Sequence, residues 1–141
     1  MPIRPRYLHT ALDAPDARAL AEFYRQFLGL HYRAGDEPPA DGSPDDADWL
    51  VLVDEDGQRG MAIQHKPGLP RSTWPSEEVP MQAHIDYGVP DVAALDSARG
   101  EALALGATVL HDRSGDPDEP LYVLADPAGH PFCVLVAPEL G

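Results

Sequence analysis

The chain contains a single cysteine in 141 residues. No disulfide can form within it, and paired-cysteine redox or zinc-knuckle motifs are excluded. Basic residues are also scarce: ten Lys and Arg stand against 24 Asp and Glu, for a formal net charge of −14. A surface of that sign repels nucleic-acid phosphates and anionic membranes, so the expected partner is a neutral or cationic small molecule, with no nucleic acid and no membrane. Nowhere do about 18 uncharged apolar residues run together, as a membrane span would need. The N-terminal MPIRPRYLHTALD has no apolar stretch of signal-peptide length, which gives a cytoplasmic reading. What is present is an apolar content of 43%, enough for the core of one ordinary domain, residues 1–141. The 16 prolines and 12 glycines fall mostly between periodic segments, as expected of short elements joined by turns.

The chain repeats itself. HTALDAPDARAL (9–20) lies over HIDYGVPDVAAL (84–95), with His, Pro-Asp and Ala-Leu at matching offsets. VLVDEDG (51–57) matches VLADPAG (123–129) in the same way. Two modules follow, over residues 7–66 and 82–137, joined by a Pro-rich linker at 67–81. Each opens with an extended run, 7–13 or 82–88, and continues through Pro-Asp into a helix. In the first helix Leu20, Phe23, Tyr24, Phe27 and Leu28 form one apolar stripe, and Gly29 stops it. In the second, Val92, Leu95, Ala98, Ala102 and Leu103 mark the buried side, and Gly106 is the stop. Three extended runs then follow in each module: 30–34, 48–54 and 60–66, then 107–112, 120–125 and 130–137. The fold class is therefore α+β, two tandem βαβββ modules. One helix covers one face of each four-stranded sheet, and the two bare faces are expected to curve around a small-molecule cavity.

Strand alternation selects the residues that would face this cavity. His9 and Asp13 share one side of the first strand; His84 and Asp86 share the equivalent side of its repeat. In the closing strands Gln64 shares a face with Ala62 and Lys66, and Cys133 shares one with Leu135. Trp49, Trp74 and Tyr122 are aromatic candidates for the pocket, Trp74 either as a lid or as a pin for the linker. Each candidate also has a plainer reading. Cys133 lies among Phe132, Val134, Leu135 and Val136, where a free cysteine acts as a small apolar side chain. Asp13 is read as a helix cap. His31, His65 and His111 read as outer-face residues, His130 as a turn residue, and GDEPPADGSPDDAD as a solvated loop.

The duplicated βαβββ pattern, together with LHT, LAEFYRQFLGL, AHID, LGA and DPAGHPF in this order, resembles the vicinal oxygen chelate superfamily. That group includes glyoxalase I, bleomycin-resistance proteins and extradiol dioxygenases, and the chain is most similar to its glyoxalase-like branch. The resemblance implies a homodimer and four metal-ligand positions, which fall here on His9, Gln64, His84 and Cys133. None of the four is a carboxylate. The favoured expectation is accordingly a bleomycin-resistance-like protein that binds a small molecule with no metal required or a metal weakly held. The alternative is a lyase, isomerase or dioxygenase acting on vicinal oxygens with a divalent ion (Zn, Ni, Mn or Fe) on His9 and His84. Asp86 and Cys133 are the weak catalytic candidates, with Asp13 a further option for a base. A glutathione adduct is disfavoured because no basic cluster is evident to hold its carboxylates.

Overall fold

A computed structural model describes residues 2–141. The described residues form two compact units that divide between Leu69 and Pro70. The first runs β1 (Thr10–Ala14), α1 (Ala17–Leu28), β2 (His31–Tyr32), β3 (Trp49–Val53) and β4 (Arg59–His65). Its sheet has the order β1-β4-β3-β2, in which β1 and β4 are parallel and the other pairs antiparallel. The second unit runs β5 (Ile85–Val89), α2 (Val92–Ala104), β6 (Thr108–Arg113), β7 (Leu121–Ala125) and β8 (Pro131–Val136), then a short 3-10 turn at Pro138–Leu140. Its order, β5-β8-β7-β6, repeats that of the first. Both units are βαβββ modules. No helix among the described residues is long and apolar enough to cross a membrane.

The repeat is carried by matched local devices. The Asp16 carboxylate accepts from the Ala19 backbone N–H at 3.0 Å, and Asp91 accepts from Ala94 at 2.8 Å, so each Pro-Asp caps its helix. Asp54 accepts from the N–H groups of Asp56 and Gln58, and Asp126 from those of Ala128 and His130. Gly57 and Gly129 close these two turns with φ of 80° and 91°, a conformation that L side chains avoid. A third pair, Arg33 with Asp36 and Arg113 with Asp116, sits after β2 and within and after β6, at 3.3 and 2.7 Å.

α1 ends as expected at Gly29, which adopts the left-handed conformation with φ 68° and donates its N–H to the Arg25 carbonyl. Leu20, Ala21, Phe23 and Tyr24 are buried on it, while Phe27 and Leu28 are only half-buried. α1 packs on β1, β3 and β4, where Leu12, Ile63 and Leu50 align in one row. Each fully buried Leu or Ile there contributes roughly 1.5–3 kcal/mol.

Several boundaries and faces differ from expectation. β1 begins at Thr10 and β5 at Ile85, each three residues late. Leu8 is 61% exposed; β5 cannot extend its ladder past Phe132, because the preceding Pro131 has no N–H to donate. Asp13 is not the helix cap: β1 runs on through Ala14, and the cap falls at Asp16. Val92 is exposed rather than buried, since the buried stripe of α2 begins one turn later at Leu95. The linker is folded onto the second unit, where Arg71 donates to the Pro127 carbonyl at 2.7 Å and lies across Gly129. The acidic segment after β2 is a largely exposed loop as expected, tied to α1 where Arg18 pairs with Asp45 at 2.6 Å and donates to the Asp36 carbonyl at 2.7 Å.

Candidate functional site

In the second unit, parallel pairing of β5 with β8 sets Asp86 directly against Cys133. His84 lies two residues before Asp86, and its Nε2 stands 3.2 Å from Asp86 Oδ1. One donor atom from each of His84, Asp86 and Cys133 lies within 4.8 Å of the other two. His84 and Asp86 are exposed and Cys133 is partly so. Val123 on β7 completes the row with Cys133. One row further along are Gly88 and Leu135, and here the C-terminal turn folds back on the sheet. A Cβ added at Gly88 would meet Leu140 Cδ1 at 2.6 Å and Ala137 Cβ at 3.0 Å, so Leu140 walls this end of the face.

Burial pushes the Cys133 thiol up to about 11, aided by the charge and hydrogen bond of the Asp86 carboxylate. At neutral pH the sulfur is therefore a protonated thiol and a poor nucleophile. The three side chains offer an imidazole nitrogen, a carboxylate oxygen and a sulfur. That combination matches the donor preferences of zinc and its neighbours, with the proton on sulfur displaced by the ion.

In the first unit the register sets Asp13, Gln64 and Trp49 side by side across β1, β4 and β3. Gln64 is exposed and Asp13 half-buried, and Trp49 is 37% exposed. His9 precedes β1; its ring lies 5.7 Å from that of Trp49, and its Nδ1 is 3.5 Å from Arg59 Nη1. Asp13 and Gln64 thus meet within the first unit, and His84, Asp86 and Cys133 within the second. Tyr122 is different. It pairs with Val134 rather than with Cys133, is 5% exposed, donates to Asp96 of α2 at 3.0 Å and lies under Arg99. It belongs to the helix-facing side and not to the open face where a pocket residue was expected. Trp74 sits half-buried in the linker, where its backbone N–H donates to Ser72 Oγ at 3.2 Å. His31, His65 and His111 are exposed as expected, and His130 is in the turn.

Other clefts in the first unit involve residues that motif reading passed over. One of about 390 Å³ is lined by Asp16, Arg18, Asp45, Asp46, Asp48 and His65. A smaller one, about 190 Å³, adjoins it and reaches Trp49. Arg18 links them, held by Asp45 and stacked 4.9 Å over the Tyr32 ring. Burial and the Glu22 carboxylate, which accepts from its hydroxyl, push Tyr32 up to about 12. Nothing in the sequence but the helical spacing of Glu22 and Arg25 pointed to this cluster.

The model of the glyoxalase-like domain family matches residues 9–135. No match is found among curated protein sequences. Among solved structures, a glyoxalase/dioxygenase from Nostoc punctiforme superposes with a TM-score of 0.65 at 23% identity, over 94% of this chain and 91% of the other. A glyoxalase/bleomycin resistance protein/dioxygenase family enzyme from Burkholderia phytofirmans gives 0.64 at 18% identity, over 92% and 96%. A fosfomycin resistance protein from Listeria monocytogenes gives 0.68 at 13% identity, over 96% and 93%. At these identities the structural neighbours speak for the fold alone. With a family match that spans nearly the whole chain and a fold repeated in both units, this protein belongs to the glyoxalase-like domain family of the vicinal oxygen chelate superfamily.

Proposed function

We propose that this protein binds a small neutral or cationic organic molecule on the open faces of its sheets, without requiring a metal. The observation that carries this reading is the row Asp13, Gln64 and Trp49: a carboxylate, an amide and a partly exposed indole on one face suit a cation with some apolar surface. The net charge of −14 acts in the same direction by raising the local concentration of cations. The absence of a carboxylate from His9, Gln64, His84 and Cys133 argues against a strongly held metal at those four positions. Assembly as a homodimer is part of the proposal, in keeping with the family, and is checked by light scattering.

The test is a thermal-shift screen of cationic, neutral and anionic small molecules, run with and without a chelator. Stabilisation by cationic or neutral compounds should persist in chelator, perturb Trp49 fluorescence and weaken in Asp13→Asn. Stabilisation confined to anions would overturn the reading. Stabilisation that depends on added metal would favour a second one, a metal-dependent lyase, isomerase or dioxygenase, whose support is the cluster His84, Asp86 and Cys133. In such an enzyme a divalent ion would polarise vicinal substrate oxygens.

A further inference from the structure

The family resemblance assigns metal positions to His9, Gln64, His84 and Cys133, a set without a carboxylate. His9 lies against Trp49 and Arg59, and Gln64 offers only a neutral oxygen. Within the second unit a carboxylate stands beside the other two positions, one strand away from where it was missed. We propose that His84, Asp86 and Cys133 by themselves hold a divalent ion of the zinc class, in a site that needs neither His9 nor Gln64.

The argument starts from the sheet. Asp86 and Cys133 are register partners on adjacent parallel strands, so their side chains leave the same face from neighbouring points. His84 has the same parity as Asp86, and its imidazole already lies 3.2 Å from that carboxylate. The donor atoms come within 4.8 Å of one another. Ligands roughly 2.0–2.3 Å from one tetrahedral ion stand about 3.3–3.8 Å apart, so the widest gap has to close by about 1 Å through side-chain rotation. Two of the three side chains are exposed and free to make it. Charge also matches, since a carboxylate and a thiolate together neutralise a doubly charged ion. On binding, the metal takes the place of the thiol proton, which is released to solvent. Imidazole and thiolate discriminate against magnesium and calcium, which prefer oxygen ligands. Three protein donors on an exposed face leave at least one position for water or an exogenous ligand, and Leu140, seated on Gly88, bounds that position along the strand.

The full-length, chelator-stripped protein is titrated with Co(II), and binding is followed by the near-ultraviolet sulfur-to-cobalt absorption band and by competition with Zn(II). Wild type should show the band at one ion per chain, and Mg(II) should not displace it. Cys133→Ser should abolish the band, and Asp86→Asn and His84→Ala should each weaken cobalt binding about tenfold or more. His9→Ala and Gln64→Ala should leave the dissociation constant and band unchanged. Circular dichroism confirms that each variant is folded. Absence of the sulfur band in wild type overturns the proposal. So does a loss in His9→Ala equal to that in His84→Ala, because the ligands would then follow the four-position pattern. Organic-ligand binding that persists in chelator is read separately, so failure of this metal site and failure of the binding function are distinguishable.

Discussion

The duplicated turns supply a stability experiment with its control in the same chain. Asp54 and Asp126 make the same pair of bonds, accepting from the N–H groups two and four residues ahead at 2.9–3.0 Å. They differ in environment: Asp54 is exposed, whereas Asp126 is 1% exposed. In Asp54→Ala, water takes over the two freed N–H groups, so the loss should be about 0.5–1 kcal/mol. In Asp126→Ala a buried N–H group, that of Ala128, and a part-buried one, that of His130, lose a charged acceptor where water has little access. Each such bond is worth roughly 1.5–3 kcal/mol, and the relief of an ion's desolvation offsets part of the total. The net cost should be about 2–4 kcal/mol. Asp126→Asn keeps an acceptor oxygen without the charge and should cost about half as much. Urea denaturation followed by far-ultraviolet circular dichroism gives the midpoints, with an unchanged slope required for the comparison. Equal losses at the two positions would refute the reasoning, because burial would then have no influence on what the same two hydrogen bonds are worth.

Three further outcomes follow from the same contacts. Asp16→Ala and Asp91→Ala should each lower stability by about 1 kcal/mol through loss of the N-cap, measured as urea midpoints, with Asp16→Gly and Asp91→Gly costing less. Tyr122→Phe should cost about 0.5–1.5 kcal/mol for the lost bond to Asp96 and leave cobalt affinity untouched; a large change in affinity would return Tyr122 to the site. Alkylation of the protein reports Cys133 alone, since it is the only cysteine. With its folded value near 11, the thiol should react slowly at neutral pH and titrate near that value. The unfolded thiol ionises first as pH rises, so the unfolded state then holds fewer protons and this group reduces stability between the ordinary thiol range and about pH 11. In Asp86→Asn the titration should move down but stay above that of a free thiol, because burial persists; no movement would show that the carboxylate is not beside the sulfur.

What the sequence revealed and what it hid divide along local and non-local physics. Pro-Asp before each helix, Gly29 after the first, and the Asp-led turns at 54 and 126 were legible because a cap or a turn is chosen by residues next to one another. The pair Arg33–Asp36 and Arg113–Asp116 obeys the same local rule. It went unseen because these positions are separated by 80 residues where the matched histidines are 75 apart, so the insertion after the helix broke the alignment. Tyr122 was misplaced for another reason: β7 reads LYVLA, buried at every position, and a strand without alternation gives no indication of its faces. Asp13 and Asp16 both precede α1, and only the length of β1 decides which of them caps it.

The missing carboxylate is the most instructive case. Parity along β8 separates Cys133 and Leu135 from Phe132, Val134 and Val136, but parity fixes a face and not a row. Which residue of β5 stands beside Cys133 depends on the register of two strands far apart in sequence, and that register is set by packing Ile85, Tyr87 and Val89 in step with Phe132, Val134 and Val136. A slip of one residue would bring those apolar side chains to the open face, so the register is firmly specified. Asp86 is thereby placed next to the thiol by the apolar residues around it. A carboxylate absent from the four family positions can thus be supplied from the neighbouring strand, which is why an imidazole, a carboxylate and a thiol come together only once β5 and β8 are paired.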